Sequence, residues 1–498
     1  MPIDYRVVSH AASALLFSMS VLTAGSAVAQ GYDPVVFSFA TVGDSRQDPA
    51  KADPTTFLAG SPGAPSLTGT LLPQDAEYLQ NSAAANAILA GIQSQSPNLL
   101  FFNGDMIYGY GRPTLPANGQ WSAGTPITWT GAQTVNADTI FEYQQYAYWR
   151  GSVSSLFNSG TYVIPVPGNH ETQCSETAYP YTASTNSNRI SPCASGKTAY
   201  ADNENAFRNN TSDLVQDLVT NIRFQNVTGF APSSVNITNP PTSSANNGPI
   251  TGSQTYLSYS FDIQATAALL LHFVVINTDP SGADGTAPTD WLATDFAAAQ
   301  GRGAQAGATV KYFVFGHKPA FTYDYNNHGG KGVNATPNND DPTSEVAYSG
   351  LDANTTSANA NQALRNAFWK VIAQYGATYF TGHEHVPNVQ QFADQTGTYQ
   401  NKPYQVIVGS GGSPFDDVMT GGTCAGVSSS DSSCTEPVFN SPFDRYYAWA
   451  LVQIHQSGNV SLNMTGFADT SYYLLPTGGF AGFGPPQDLA AYDVPSLQ

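Results

Sequence analysis

Five short apolar runs in this chain stop at a glycine and pass at once to a polar, metal-capable side chain. The junctions are Val42-Gly43-Asp44, Asn103-Gly104-Asp105, Gly168-Asn169-His170, Gly316-His317 and Gly382-His383. These runs belong to a longer series: Val35–Ala40, Leu99–Phe102, Tyr162–Val166, Leu269–Ile276, Tyr312–Phe315, Ala377–Phe380, Val406–Val408 and Ala448–Ile454. Their length and their Val, Phe and Ile content predict buried strands. Helices are predicted between them, at Ala83–Ile92, Phe141–Phe157, Thr211–Ile222, Asp290–Ala299 and Asn361–Gln374. Strands alternating with helices predict an α/β fold. In open α/β sheets, sites gather where loops leave the carboxyl ends of strands. Packing alone gives no reason to deliver Asp, Asp, Asn, His and His to that edge.

The start of the chain reads differently. Met1 to Ala29 has a short head with Arg6, an apolar stretch Ala11–Ala24 and the small residues Ala27-Val28-Ala29, the pattern of a cleaved export signal. The alternative is an uncleaved anchor, but basic residues are lacking on its far side. Residues 30–498 are then expected to form a single catalytic domain with long loop insertions, in a secreted or periplasmic protein with no further membrane span. The net charge of −19 disfavours nucleic acid and anionic membranes as partners, so an anionic substrate needs a local positive site. Cys174 with Cys193, and Cys424 with Cys434, lie in Ser/Thr-rich stretches and are expected as two loop disulfides rather than a zinc site. Three polar stretches, Gly109–Asn136, Thr172–Ala201 and Tyr323–Ala360, read as long loops.

In chain order the candidate site residues are Asp44, Asp105 with Tyr108, Asn169 with His170, His317, then His383 and His385. Two cations about 3.5–4 Å apart repel each other and need a bridging anion. Asp105 is the natural bridge. In an extended Gly382-His383-Glu384-His385 segment, the period of two would put both imidazoles on one side, each within reach of a different ion.

This ordered set resembles the calcineurin-like metallophosphoesterase superfamily, and within it the purple acid phosphatases. Their pattern runs Asp, Gly-Asp-x-x-Tyr, Gly-Asn-His-Glu, Val-x-x-His and Gly-His-x-His. It is met by Asp44, by Gly104 to Tyr108, by Gly168 to Glu171, by Val314 to His317 and by Gly382 to His385, within a span from Phe37 to Ser410. The resemblance implies a four-layer αββα sandwich of two mixed sheets flanked by helices. It also implies one ion on Asp44, Asp105, Tyr108 and His385, and a second on Asp105, Asn169, His317 and His383. As a tyrosinate, Tyr108 would favour Fe(III) at the first position; the alternative is an aromatic packed beside the site. The second position suits Fe(II), Zn(II) or Mn(II).

One departure stands out. Arg46 occupies a position where many superfamily members carry a ligand His and purple acid phosphatases carry Gly. Its guanidinium stays protonated and cannot ligate, so two roles are open to it: gripping a substrate phosphate, or a structural salt bridge. The resemblance gives His170 the task of holding the phosphoryl group or protonating the leaving alkoxide, with a purely orienting role as the alternative. Glu171 would orient the His170 ring or cap the loop. His328 is either a substrate-pocket histidine or an exposed loop residue. His272, inside an apolar run, reads as a satisfied core residue.

The expected function is a binuclear metal-dependent phosphatase, acid phosphatase-like, hydrolysing small-molecule phosphate monoesters by attack of a metal-bound hydroxide. A phosphodiesterase or nucleotide hydrolase of the same superfamily is the nearest alternative. A catalytically inactive exported binding protein that keeps the fold, or a structural or adhesive exported protein, would be an alternative of another class.

Overall fold

The computed structural model describes residues 33–47, 82–109, 126–128, 134–172, 200–242, 253–279, 287–321, 358–394, 396–413, 446–468 and 486–489. The expected signal, the four cysteines and His328 lie outside them. Two mixed sheets carry the fold. The first contains β1 (Val35–Val42), β2 (Leu99–Asn103), β5 (Tyr162–Val166), β13 (Tyr446–His455), β14 (Val460–Ala468) and β15 (Gln487–Asp488), in the order β15-β14-β13-β1-β2-β5. The second contains β6 (Pro232–Asn236), β7 (Tyr259–Thr266), β8 (Leu269–Val275), β9 (Thr309–Phe315), β10 (Thr378–Thr381), β11 (Pro387–Gln391) and β12 (Tyr404–Val408), in the order β11-β12-β10-β9-β8-β7-β6. A small hairpin pairs β3 (Pro126–Thr128) with β4 (Thr134–Asn136). It falls inside the stretch expected to be loop throughout.

The sheets face each other across a layer of phenylalanines. Phe39 meets Phe101, Phe273, Phe313, Phe315 and Phe380 edge to face, at centroid distances from 5.1 to 5.7 Å. Phe101 stacks on Phe315 at 3.6 Å. Each fully buried ring of this kind stabilises the fold by roughly 1.5–3 kcal/mol. The second sheet is buried on its other face too. Phe273 and Val275 join the inner core, whereas Val274 and Ile276 pack with Leu292, Phe296 and Trp369. That explains why Leu269–Ile276 is apolar without a break: alternate residues face two different cores.

Helices close both sides. Helices α1 (Ser82–Gln95), α2 (Ala137–Asn158) and α4 (Tyr200–Thr220) cover the first sheet, while α6 (Thr289–Ala306) and α7 (Ala358–Tyr375) cover the second. The result is the expected four-layer αββα sandwich. Two short helices complete the set, α3 (Asn169–Thr172) and α5 (Ile222–Thr228). The helix expected over Thr211–Ile222 begins earlier and stops at Thr220, because Asn221 takes a left-handed conformation (φ 61°) before α5 starts. Asn tolerates that region better than most residues.

Candidate metal centre

Parallel pairing makes one edge of the sandwich a meeting point. β1, β2 and β5 run parallel in the first sheet, as do β9, β10 and β12 in the second. The loops after β1, β2 and β5 carry Asp44, Asp105 and Asn169, and those after β9 and β10 carry His317, His383 and His385. Half of the non-glycine residues with positive φ among the described residues lie here. Asp44 (φ 64°), Arg46 (φ 44°), Asp105 (φ 50°) and His383 (φ 72°) are all left-handed without being glycine. Such conformations cost about 1–3 kcal/mol each and persist where the surroundings dictate them, often at functional sites.

The polar atoms converge closely. His317 Nε2 lies 2.7 Å from Asn169 Oδ1, 3.2 Å from Asp105 Oδ1 and 3.2 Å from His383 Nδ1. His383 Nδ1 is itself 3.1 Å from Asn169 Oδ1, and His385 Nε2 is 3.6 Å from Asp44 Oδ1. Ligand atoms of Asp44, Asp105 and His317, all buried, lie within 4.8 Å of one another, a grouping able to hold a metal ion. The donor set passes a chemical test of fit. His317 Nδ1 sits 2.8 Å from the Asn103 carbonyl oxygen and must donate to it. Nε2 is then the nitrogen left to face Asn169 Oδ1 and Asp105 Oδ1, and an imidazole nitrogen placed so can ligate a metal ion. This mixed N/O donor set suits a divalent transition ion. An imidazole locked by a carbonyl at its other nitrogen is also the usual state of a metal-ligating histidine.

The expected extended form of Gly382 to His385 is not what the chain adopts. The segment bends through consecutive tight turns, with Glu384 N–H donating to the Gly382 carbonyl (2.9 Å) and Val386 N–H to that of Glu384 (2.8 Å). The cause is Asp44, whose two carboxylate oxygens receive the His383 N–H at 3.1 and 3.0 Å and pull the backbone round. Both imidazoles still reach the cluster. Gly382 is required here, since a Cβ would strike Asp44 Oδ2 and lie 2.7 Å from the Asn103 carbonyl oxygen.

Asp105 carries the strongest electrostatics. Burial pushes its carboxyl up, but His170, His317 and Arg46 overcome that and hold it well below the usual carboxylate range. Its Oδ1 accepts the His170 N–H (3.1 Å) and faces His317. Its Oδ2 faces Arg46 Nε and Nη2, each at 3.3 Å, and His170 Nε2 at 3.5 Å. Arg46 thus forms a buried ion pair with Asp105. The other ring nitrogen of His170 contacts the Tyr108 carbonyl oxygen. Tyr108 is buried beside the cluster, its ring edge-on to His170 at 6.2 Å.

Glu171 acts on backbone rather than on a ring. Its carboxylate accepts N–H groups from Gly168 (2.7 Å), Asp105 (2.9 Å) and Ile107 (3.1 Å), tying the loops after β2 and β5 together. Burial, followed by the charge of Asp105, pushes its carboxyl up to about 8, against the pull of those three amides. The His170 ring itself contacts the Tyr108 carbonyl and Asp105.

Several supporting residues escaped the sequence reading. Asn103 Nδ2 donates to Thr41 Oγ1 (2.6 Å) and to the Thr381 carbonyl (3.3 Å), joining the two sheets behind His317. Ser413 donates from both N–H (2.9 Å) and Oγ (2.6 Å) to the Asp44 carbonyl. A buried Lys318–Asp279 pair, at 3.4 Å, follows directly on His317. The Gly409-Ser410-Gly411-Gly412-Ser413 run after β12 was a legible signal of a close backbone approach, whereas Asn103 and Asp279 gave none.

No family model matches the chain, and no curated protein matches it. Among solved structures, one described as "Structure of PhoD" aligns over 93% of this chain and 71% of that one, at 9% identity and a TM-score of 0.39. A likeness that remote carries no argument, so the functional reading stands on the residues. Among the described residues, no helix is long and apolar enough to cross a membrane.

Proposed function

We propose that the chain is an exported, binuclear metal-dependent phosphatase of the purple acid phosphatase kind, acting on small phosphate monoesters. The observation that carries this is the convergence of His317, His383, Asn169 and Asp105 on one point, with the His317 tautomer fixed by Asn103. Asp44, Asp105, Tyr108 and His385 would hold one ion, with Tyr108 favouring Fe(III). Asp105, Asn169, His317 and His383 would hold the other, as Fe(II), Zn(II) or Mn(II). Such ions, when bound, polarise a phosphate ester and acidify water.

The protein's own contribution is charge and placement. His170, lodged between the Tyr108 carbonyl and Asp105, is positioned to deliver a proton to a departing oxygen. Glu171 keeps the two aspartate- and asparagine-bearing loops in register. His328 belongs to this reading as a substrate-side residue. The test is to load the full chain with Fe, Zn or Mn, count bound metal, and compare aryl phosphate monoester with diester turnover. Two ions per chain with monoester preference is the expected result. Diester preference would make it a phosphodiesterase, and full occupancy without turnover would leave a binding protein. A visible charge-transfer band lost in Tyr108→Phe would establish the iron–tyrosinate bond.

A further inference from the structure

The two oxygens of Asp105 have unlike surroundings. Oδ1 faces the donor cluster of His317, Asn169 and His383. Oδ2 already faces a fixed cation, the Arg46 guanidinium, through Nε and Nη2 at 3.3 Å each. Arg46 is 1% exposed, so solvent screens its charge very little. Nor is it free to swing away. Its N–H donates to the Asp105 carbonyl (2.8 Å), the Gln47 N–H to that of Met106 (2.8 Å), and Ser45 Oγ to the latter as well (3.2 Å). A parallel bridge pairs Gln47 with Ile107. Residues 45–47 are thus laced to 105–107, and the guanidinium is held against the carboxylate it neutralises.

We propose that Arg46 is the resident counter-cation of Asp105 and makes the two metal positions unequal. The position reached through Oδ1 binds a divalent ion tightly. The position that must share Oδ2 with the guanidinium binds more weakly and fills second. The inference rests on the proposed binuclear reading and adds an order of loading to it. Its physical basis is direct: a cation approaching Oδ2 meets the permanent, little-screened charge of the guanidinium, whereas Oδ1 accepts the neutral main-chain N–H of His170 and faces the donor atoms of the cluster.

Calorimetric titration of the full chain with Zn²⁺ alone, and with Mn²⁺ alone, tests this. Two classes of site are expected in the natural protein. Arg46→Met should tighten the weaker class by about 10–100-fold and leave the tighter one nearly unchanged, the scale on which neighbours of metal ligands act. Arg46→Lys, which keeps the charge, should keep the split. Two equal sites in the natural protein, or a weaker class that Arg46→Met leaves alone or loosens, overturns the proposal. Far-UV circular dichroism reports whether Arg46→Met folds; if it does not, the natural isotherm and Arg46→Lys still decide. Equal sites with ester turnover would sink only this inference, while no bound metal at all would sink the binuclear reading with it.

Discussion

Among the described residues, two buried groups of histidine and aspartate can be compared, and they solve different electrostatic problems. On the outer face of the second sheet, His272 Nδ1 lies 2.7 Å from Asp262 Oδ1 and its Nε2 lies 3.0 Å from Asp295 Oδ2. Arg302 donates to both oxygens of Asp262, at 2.7 and 3.1 Å. Two positive and two negative groups close on themselves, and the backbone that bears them is regular strand and helix. At the strand ends, His317 and His383 face amide and carboxylate oxygens and each other. The backbone there is left-handed at four residues that are not glycine. The first group is complete as built. The second gathers buried donors able to hold a cation, on left-handed backbone of the kind that often persists at functional sites.

Breaking either group should show that difference. The largest effect is expected for Asp105→Asn, which removes the carboxylate proposed to bridge the two ions. Metal content should fall, and ester turnover should drop by about 10³-fold or more, as measured by metal analysis and initial rates. Thermal stability should change far less. Next, His272→Leu should leave two carboxylates buried without their shared cation, at a cost of about 3–5 kcal/mol in denaturant unfolding. Turnover per folded molecule should stay the same.

The same histidine gives a pH test. Burial pulls its imidazole down, but the hydrogen bonds and charges of Asp262 and Asp295 win and raise it above 6.5. A raised folded value means the contribution is complete below the unfolded pKa of about 6.5 and is lost as pH rises through the folded one. The stability gap between the natural protein and His272→Gln should therefore narrow as pH climbs above that range. A gap that widened instead would contradict the closed ion network. Asn103→Ala should be milder, loosening the backbone behind His317 and lowering metal affinity by about 10–100-fold in a titration. The smallest effect belongs to Arg150→Gln. Its 2.7 Å pair with Asp213 is exposed, so unfolding free energy should move by less than about 1 kcal/mol.

How much of this was legible beforehand depended on which residues carry which signal. The eight predicted apolar runs coincide with β1, β2, β5, β8, β9, β10, β12 and β13, because strands that are wholly or largely buried are apolar over most of their length. β7 and β14 were missed because polar residues alternate along them, as in Asp262 and Gln264 or Ser461 and Asn463. β11 was missed because it opens on Pro387 and buries Asn388 and Gln390. The cluster was readable for a related reason. A ligand at a strand end follows a recognisable glycine, so Asp44, Asp105, Asn169, His317 and His383 announced themselves. Their supports, such as Asn103, Ser413 and the Lys318–Asp279 pair, act through contacts between distant segments and have no such signature.

The sequence by itself determined the strand-ends that carry the candidate ligands, the alternation of strands and helices, and the chemical character of the donor set. These follow from side-chain hydrophobicity and short spacing, which are local properties. Only the tertiary structure decided how the donors meet. The bend of Gly382 to His385 around Asp44, the lock of Asn103 on His317, the capture of main-chain amides by Glu171 and the seating of Arg46 on Asp105 all join segments from 59 to 339 residues apart. Contacts at that separation depend on how two sheets stack, and no local pattern in the chain encodes the stacking.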